Sequence, residues 1–416
     1  MKRSKTSLPA FFTLDISRLL SRASACVPTG IDRVELEYAR YLLTTAPDRV
    51  EFAAMHPMGR FAALPFSMAS DFISAIGAMW DRGQGDAAYT TRLAFRLKHG
   101  ILTPRLGSIA RVARGARPTN VYLLLSHHHL IRPAVVVAAL KRRKRTLFVP
   151  MVHDLIPLEY PEYSRPREFA RHRQRVETVV RYADAVLTPS EAVRTSLQPH
   201  FATAGREAVP IWAIPHGVHL RALDDEPEVT PVSESPYFVF LSTIEARKNH
   251  LLLLNIWRRL VEEHGAAAPK LIIVGKRGWE NEQVLDMLER CPALQGFVEE
   301  HNALPDTQVV SLLRGARALL FPSFTEGFGL PLAEALALGT PAICSDIPVF
   351  REVGGTAAHY VDPLDGLEWM RRIDAFARMT AQEARALNRS GHNPGIDWRE
   401  SVSRALDQIE AFAARQ

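Results

Sequence analysis

An α/β protein of two Rossmann-like domains in tandem is what this sequence predicts, and three observations predict it. Its 416 residues exceed what one hydrophobic core organises. Apolar runs of strand length alternate with longer amphipathic stretches, the βαβ pattern that builds parallel sheets covered by helices. The acids, histidines, glycines and paired cations that stand out follow apolar runs directly, and open parallel sheets bind ligands beyond their strand ends.

In chain order, "FFTLDIS" reads as a strand and "IDRVELEYARYLLT" as the amphipathic helix after it. "VEFAAMH", "NVYLLLS" and "TLFVPMV" are further strands, "ADAVLTPS" is another with a helix on either side, and "PIWAIPHGV" closes the half. From Tyr237 the alternation is cleaner. Strand "YFVFLST", helix "KNHLLLLNIWRRLVEEHG" ending at Gly265, and strand "KLIIVGK" come first. Helices "NEQVLDMLER" and "DTQVVSLLRGA", strand "ALLFPS", helix "LPLAEALALG" and strand "PAICS" complete it. The stretch "DDEPEVTPVSESP" is acidic and turn-forming without apolar periodicity, which marks a linker. The expected organisation is a first domain over 1–224, a linker over 225–236, a second domain over 237–395, and a terminal helix over 396–416 in which Trp398 is a packing anchor.

Hydrophobic residues make up 47% and charged residues 23% of the chain, the balance of a soluble enzyme. Asp15 and Arg18 interrupt the first apolar run before it reaches signal-peptide or membrane-span length, so a cytosolic chain is expected. Cys26, Cys291 and Cys344 lie far apart without ligand spacing. That pattern excludes a disulfide framework or zinc site and leaves three thiols expected to be buried. No 20–50-residue repeat is present, which excludes a solenoid.

The net charge of +6 conceals an asymmetry: residues 1–225 hold 32 Lys and Arg against 19 Asp and Glu, and the remainder 19 against 26. The cations cluster in "TRLAFRLKHGILTPRLGSIARVARGARP", which has no acid, in "KRRKR" at 141–145, and in "RPREFARHRQR". Such cations beside Leu, Ile and Phe suit an anionic membrane surface, or form a solvated face with no partner. No nucleic-acid partner is expected, because no reader fold or set of stacking aromatics accompanies them.

The most informative stretch is "FPSFTEGFGLPLAEALALGTPAICSD", residues 321–346. A strand ends at Ser323, and Pro331 suits an early helical position, where its missing N–H is no loss. Gly327, Phe328, Gly329 and Leu330 then form a turn whose N–H groups and helix dipole favour an anion, with glycines permitting close approach. Glu326 and Glu334 flank that anion site. Two carboxylates would repel a phosphate unless they accept hydrogen bonds from neutral hydroxyls, and a nucleoside diphosphate sugar offers hydroxyls at both ends. Arg247 and Lys248, in "FLSTIEARKNH", follow another strand, where two cations can neutralise a departing diphosphate.

The E-x7-E pair Glu326/Glu334 inside "TEGFGLPLAEALALGTPAICSDIPVFREVGG" resembles the signature of family 4 of the retaining glycosyltransferases, which have the GT-B fold. The resemblance implies two Rossmann-like domains facing each other across a cleft, with a C-terminal helix crossing back to the first. It implies that Glu326 contacts the donor sugar, that the amides of Gly327 to Leu330 hold the diphosphate, and that Glu334 binds the ribose. "E-x-R-K-N" around Arg247 and Lys248 is similar to the family's donor-binding segment. His153, in "VPMVHDLIPLEY", matches the family's histidine near the donor sugar, with Asp154 as its support. Gly30, in "CVPTGIDRVELEYARYL", stands in the helix-start turn that faces acceptor or donor phosphates in the family, and Arg33 could assist an acidic acceptor group. Gly275 and Lys276, in "IIVGKRGW", lie at a strand end where the nucleotide would rest.

The expected function is therefore a retaining transfer of a hexose from a nucleoside diphosphate sugar to a hydroxyl of a glycan or polyprenyl-diphosphate-linked acceptor. The expected setting is surface polysaccharide synthesis at the inner face of the cytoplasmic membrane. "TIEARKNH" and "VGKRGW" resemble segments of bacterial mannosyltransferases and favour GDP-mannose as donor. No cofactor or metal is expected, because no Asp-x-Asp pair sits at a strand end. The competing expectations are a nucleotide-sugar-binding peripheral membrane protein without turnover, and a GT-B sugar epimerase.

Overall fold

The computed structural model describes residues 9–56, 58–83, 85–102, 119–141, 146–219, 235–302, 304–388 and 395–416. Contacts divide the chain into two units. The first holds Met1–Leu158, Arg167–His216 and Trp398–Gln416; the second holds Glu159–Pro166 and Gly217–Asp397. The chain thus leaves the first unit at Gly217, before the linker expected from the sequence, of which 225–234 lie outside the described residues. It also visits the second unit in an eight-residue excursion that the sequence boundaries did not include.

In the first unit, β1 (Phe11–Asp15), β2 (Val50–Met55), β3 (Phe61–Ala63), β4 (Asn120–Leu124) and β5 (Thr146–Pro150) form a sheet ordered β3-β2-β1-β4-β5. All pairs are parallel except β2 with β3. β6 (Val186–Thr188) and β7 (Ile211–Ala213) pair in parallel, and the bridge Met151↔Leu187 joins them to the end of β5. β1 is buried along its whole length, as a strand covered on both faces must be. The helix Trp398–Ala413 turns Val402, Ala405 and Ile409 inward to this unit, and Arg49 pairs with its Glu410 at 2.6 Å. Trp398 is itself buried.

The second unit is a six-stranded parallel sheet of β8 (Tyr237–Leu241), β9 (Lys270–Val274), β10 (Val298–His301), β11 (Leu319–Phe321), β12 (Ala342–Ser345) and β13 (His359–Val361). Its order is β10-β9-β8-β11-β12-β13, so the winding reverses between β8 and β11. A crevice for ligands opens at such a reversal. The helix His250–His264 covers one face with Leu253, Leu254, Trp257 and Leu260, and stops at Gly265 with φ +54°.

Several sequence expectations change. β10, "VEEH", was not anticipated, since an edge strand that is only half-buried shows no apolar run. The basic run at 91–118 begins inside a helix, Ala87–Leu102, that buries Leu93, Ala94, Leu97 and Ile101; residues 103–118 lie outside the described residues, as do 142–145 of "KRRKR". In the third basic cluster, Arg171 and Arg175 pair with Glu168, and Arg173 with Glu177. Of the three thiols expected to be buried, only Cys344 is; Cys26 is exposed and Cys291 half-buried, because neither sits in a strand or on an inward helix face.

Candidate functional site

The winding reversal of the second unit brings together the loops after β8, β9 and β11. After β8 the chain passes Ser242 to Glu245 into a tight turn, Ala246–Lys248, and Asn249 takes φ +60° before the helix His250–His264. Asparagine tolerates that left-handed conformation better than most residues, and its Nδ2 donates to the distant Pro363 O at 3.0 Å, which ties the turn to the loop after β13. The backbone N–H of Ile244 donates to Lys276 O at 2.9 Å, and that of Gly278 to Ile244 O at 3.0 Å. The loops after β8 and β9 are thereby laced together. A Cβ on Gly275 would stand 1.8 Å from Ser242 O, so this glycine is required by loop packing alone. The third loop joins through Phe324 N–H, which donates to Arg247 O at 2.9 Å.

Arg247, Lys248 and Glu326 meet at this junction. Arg247 Nη1 donates to Glu326 Oε2 at 2.9 Å and to Thr325 O at 3.1 Å, while its Nε reaches Glu245 Oε2 at 3.2 Å. Lys248 Nζ bonds the other oxygen, Glu326 Oε1. Burial would raise the Glu326 carboxyl, but the Arg247 and Lys248 charges overcome it and hold the group at about 2. Burial and the Arg247 charge push the Lys248 ammonium down, against the pull of Glu326. Burial also raises the Glu245 carboxyl, countered by the two cations. Nearby, Ser323 Oγ and His250 Nδ1 are buried without a hydrogen-bond partner among the described residues.

From Glu326 the chain turns through Gly327 and Phe328 to Gly329, which caps the helix Leu330–Ala337 with φ +94°. Only glycine fits: the conformation disfavours a side chain, and a Cβ would come within 2.7 Å of Phe350 Cε1. Pro331 lies in the first helical turn and Glu334 one turn in, on the same helix that begins beside Glu326. Beyond β9 and β10, Lys276, Arg277, Glu300 and Asn302 line a cavity of about 310 Å³. Arg277 is committed there to Glu300 at 2.8 Å and Glu289 at 2.5 Å.

The remaining predicted residues lie in the first unit. Gly30 opens the helix Gly30–Thr45, where the Thr29 N–H donates to Asp32 Oδ2 at 2.8 Å. Arg18 and Arg22 close on the same buried Asp32 at 2.6 and 3.1 Å. The positive helix end is thus already matched by a carboxylate of its own first turn. Arg33 is half-buried on this helix. His153 follows β5, and its Nε2–H donates to Leu125 O at 2.7 Å, which leaves Nδ1 as an acceptor. Asp154 Oδ1 accepts from Ile156 N–H at 3.2 Å, and its carbonyl accepts from His172 Nε2 at 3.1 Å.

Sequence reading missed that His153 belongs to a cluster. His127 lies 5.6 Å from it between ring centroids, His216 5.8 Å, and His172 stands 6.3 Å from His127. Burial lowers the pKa of all four, so they are neutral imidazoles at pH 7. The available signal was "SHHHL" after the buried strand β4 and "IPHGV" after the half-buried β7. Among the described residues no group of three His, Cys, Asp or Glu could hold a metal ion. Beside the cluster, at the first unit's own reversal between β1 and β4, buried Asp15 accepts from Tyr122 Oη at 2.8 Å and faces His129 at 3.4 Å. Glu35 accepts from Leu19 N–H at 3.0 Å, and burial pushes its carboxyl up to about 8, with the Asp15 charge adding to the rise.

Residues 40–222 match the sequence model described as "Glycosyltransferase Family 4", and residues 224–378 that described as "Glycosyl transferases group 1". O-antigen chain mannosyltransferase B of Escherichia coli is 33% identical over 178 residues, 42% of each chain. The serotype-specific mannosyltransferase WbdA of Escherichia coli is 27% identical over 284 residues, 63% of this chain and 33% of that protein. The chain thus spans less than half the length of these two relatives. Among solved structures, sucrose-phosphate synthase from Thermosynechococcus elongatus superposes with TM-score 0.62 at 14% identity, covering 98% of this chain and 100% of that one. Anabaena HepE in complex with UDP gives 0.62 at 14%, covering 97% and 100%.

Proposed function

Because the chain belongs to the GT-B glycosyltransferases of family 4, we propose that it transfers a hexose, with retention of configuration, from a nucleoside diphosphate sugar to an acceptor hydroxyl. The observation that carries this reading is the meeting of Arg247, Lys248 and Glu326 at the winding reversal. A diphosphate arriving there competes with Glu326 for the two cations. Once they turn to it, Glu326 is released to accept hydrogen bonds from sugar hydroxyls, which take the place of the two cations as its partners. Charge that grows on the leaving phosphate is stabilised by Arg247, Lys248 and the N-terminal end of Leu330–Ala337, so the reading requires no metal. Glu334 is assigned to the ribose, and Gly275 and Lys276 to the nucleotide. Neutral His153, its Nε2–H already committed, offers a hydroxyl only the Nδ1 lone pair.

GDP-mannose as donor is supported by the mannosyltransferase relatives, and a glycan or lipid-diphosphate-linked glycan as acceptor by the two relatives named for O-antigen and serotype. Association with an anionic membrane surface has a specific support. The helix Ala87–Leu102 contains no carboxylate and exposes Tyr89, Arg92, Phe95, Arg96 and His99, with Phe95 66% exposed. Arg92 pairs there with Asp86, just before the helix, at 3.4 Å. No helix among the described residues is long and apolar enough to cross a membrane.

The test is turnover. The protein is incubated with GDP-mannose and a mannose-terminated acceptor in EDTA, and nucleotide release and the anomeric configuration of the product are measured. Lys248→Ala and Glu326→Ala are expected to slow transfer on the order of 10²-fold or more. Near-normal rates in these variants and in His153→Ala would refute the site, and an inverted product would refute retention.

A further inference from the structure

The segment Glu159–Pro166 packs in the second unit although its neighbours on both sides in the chain belong to the first. It is a short strap, tightened by a turn at Pro161–Tyr163 in which Tyr163 N–H donates to Tyr160 O at 3.0 Å and Ser164 N–H to Pro161 O at 3.1 Å. Two side chains fasten it. The ring of Tyr163 lies on that of Phe324, centroids 5.5 Å apart and planes within 2° of parallel, and Tyr160 stacks on Tyr163 in turn at 6.1 Å. The guanidinium of Arg165 sits over the Trp279 ring, 4.5 Å from its centroid.

Both anchors stand on loops of the candidate site. Trp279 is in the loop after β9, next to Gly278, whose N–H is bonded to Ile244 O. Phe324 lies in the loop after β11, two residues before Glu326, with its N–H on Arg247 O. Phe324 is only half-buried, so the core alone does not select its rotamer. A parallel aromatic partner does, at an energy comparable to a hydrogen bond. Fixing that ring fixes the start of the turn that aims the Glu326 carboxylate.

We propose that Tyr163 is a positioning residue for donor-sugar recognition, acting through Phe324 to orient Glu326. The inference rests on the assignment of Glu326 to the donor sugar. The stack requires the ring and not the hydroxyl, so Tyr163→Phe and Tyr163→Ala separate positioning from any polar role. A misplacement of a carboxylate by about 1 Å lowers rates on the order of 10²-fold. A free nucleoside diphosphate carries no sugar for Glu326 to hold and is drawn chiefly by the charges of Arg247 and Lys248, so it depends less on the aim of that carboxylate.

Hydrogen exchange of the peptide spanning Ser323–Gly329, measured in full-length wild type and both variants without ligand, tests the positioning directly. Exchange is expected to quicken about tenfold in Tyr163→Ala and to match wild type in Tyr163→Phe. Kinetics then test the consequence: Tyr163→Ala lowers kcat/KM with GDP-mannose tenfold or more, changes the Kd for GDP less than threefold, and is rescued by Tyr163→Phe. Unchanged exchange in Tyr163→Ala overturns the proposal, as does an equal loss of GDP affinity and turnover, or failure of the phenylalanine to rescue. Quickened exchange in a protein whose wild type binds no nucleotide sugar keeps Tyr163 as the support of the turn and instead overturns the donor-site reading.

Discussion

Arg247 Nη1 lies 2.9 Å from Glu326 Oε2, although the two residues are 79 positions apart in the chain. Sheet order explains the meeting: β8 and β11 are neighbours, with Leu319 opposite Val239, so the turns that follow them leave the sheet side by side. The Glu326 side chain is almost wholly enclosed, the Arg247 side chain is half-buried, and the carboxylate depends on the cations beside it for its ionised state. Removing one partner of such a pair leaves the other unmatched in a poorly solvated place.

The pair makes acid stability a measurement of the site. Glu326 titrates at about 2 in the folded chain against 4.5 for the free group. Its contribution is therefore complete above pH 4.5 and disappears as pH falls through 2, because below that value folded and unfolded chains both hold the proton. Urea unfolding at stepped pH is expected to show wild type losing about 3 kcal/mol more than Glu326→Gln across that window. Parallel curves for the two proteins would contradict the buried pairing.

Glu35 predicts the opposite slope. With a folded value of about 8 against 4.5, it favours the fold as the neutral acid, so its contribution is intact below pH 4.5 and is lost as pH rises through 8. Burial dominates, Asp15 adds to the rise, and Arg18, Ser126 and the Leu19 N–H oppose it. Glu35→Gln keeps the shape and removes the titration. Its unfolding free energy relative to wild type is expected to improve on the order of 4 kcal/mol between pH 4.5 and 8, and a gain independent of pH would disprove the assignment.

Gly329→Ala tests the turn. The left-handed φ of +94° and the 2.7 Å approach to Phe350 Cε1 both oppose a methyl group, and together they are expected to cost about 1–3 kcal/mol. Gly339→Ala, with φ +70° and open space around it, isolates the conformational part. Equal costs measured by urea unfolding would show that Phe350 yields freely.

Much of this architecture is legible in the sequence where burial is two-sided. "YFVFL" and "KLIIV" become central strands and read as unbroken apolar runs, whereas "VEEH" becomes an edge strand and reads as loop. The glycine turn at 327–329 is legible because its conformational demand is local. The ion pair of Arg247 and Lys248 with Glu326 is not, since sequence distance carries no record of which strands lie side by side. The same limit hides the histidine cluster, whose members come from loops after β4, β5 and β7 and from the helix Glu168–Tyr182. The strap "EYPEYSRP" has a proline-bearing loop composition, and only its stacking on Phe324 and Trp279 sets it apart.

The helix Trp398–Ala413 belongs to the first unit but is translated only after residues 217–397 of the second. On a ribosome the first unit therefore emerges with a wall missing, and the surface that will receive Val402 and Ile409 stays uncovered while the whole second unit is made. At ordinary elongation rates that interval lasts roughly ten to forty seconds. The protein is thus committed to a waiting intermediate with bare apolar surface in every round of its synthesis. Chaperone demand and inclusion-body formation should follow the pace of translation through the second unit.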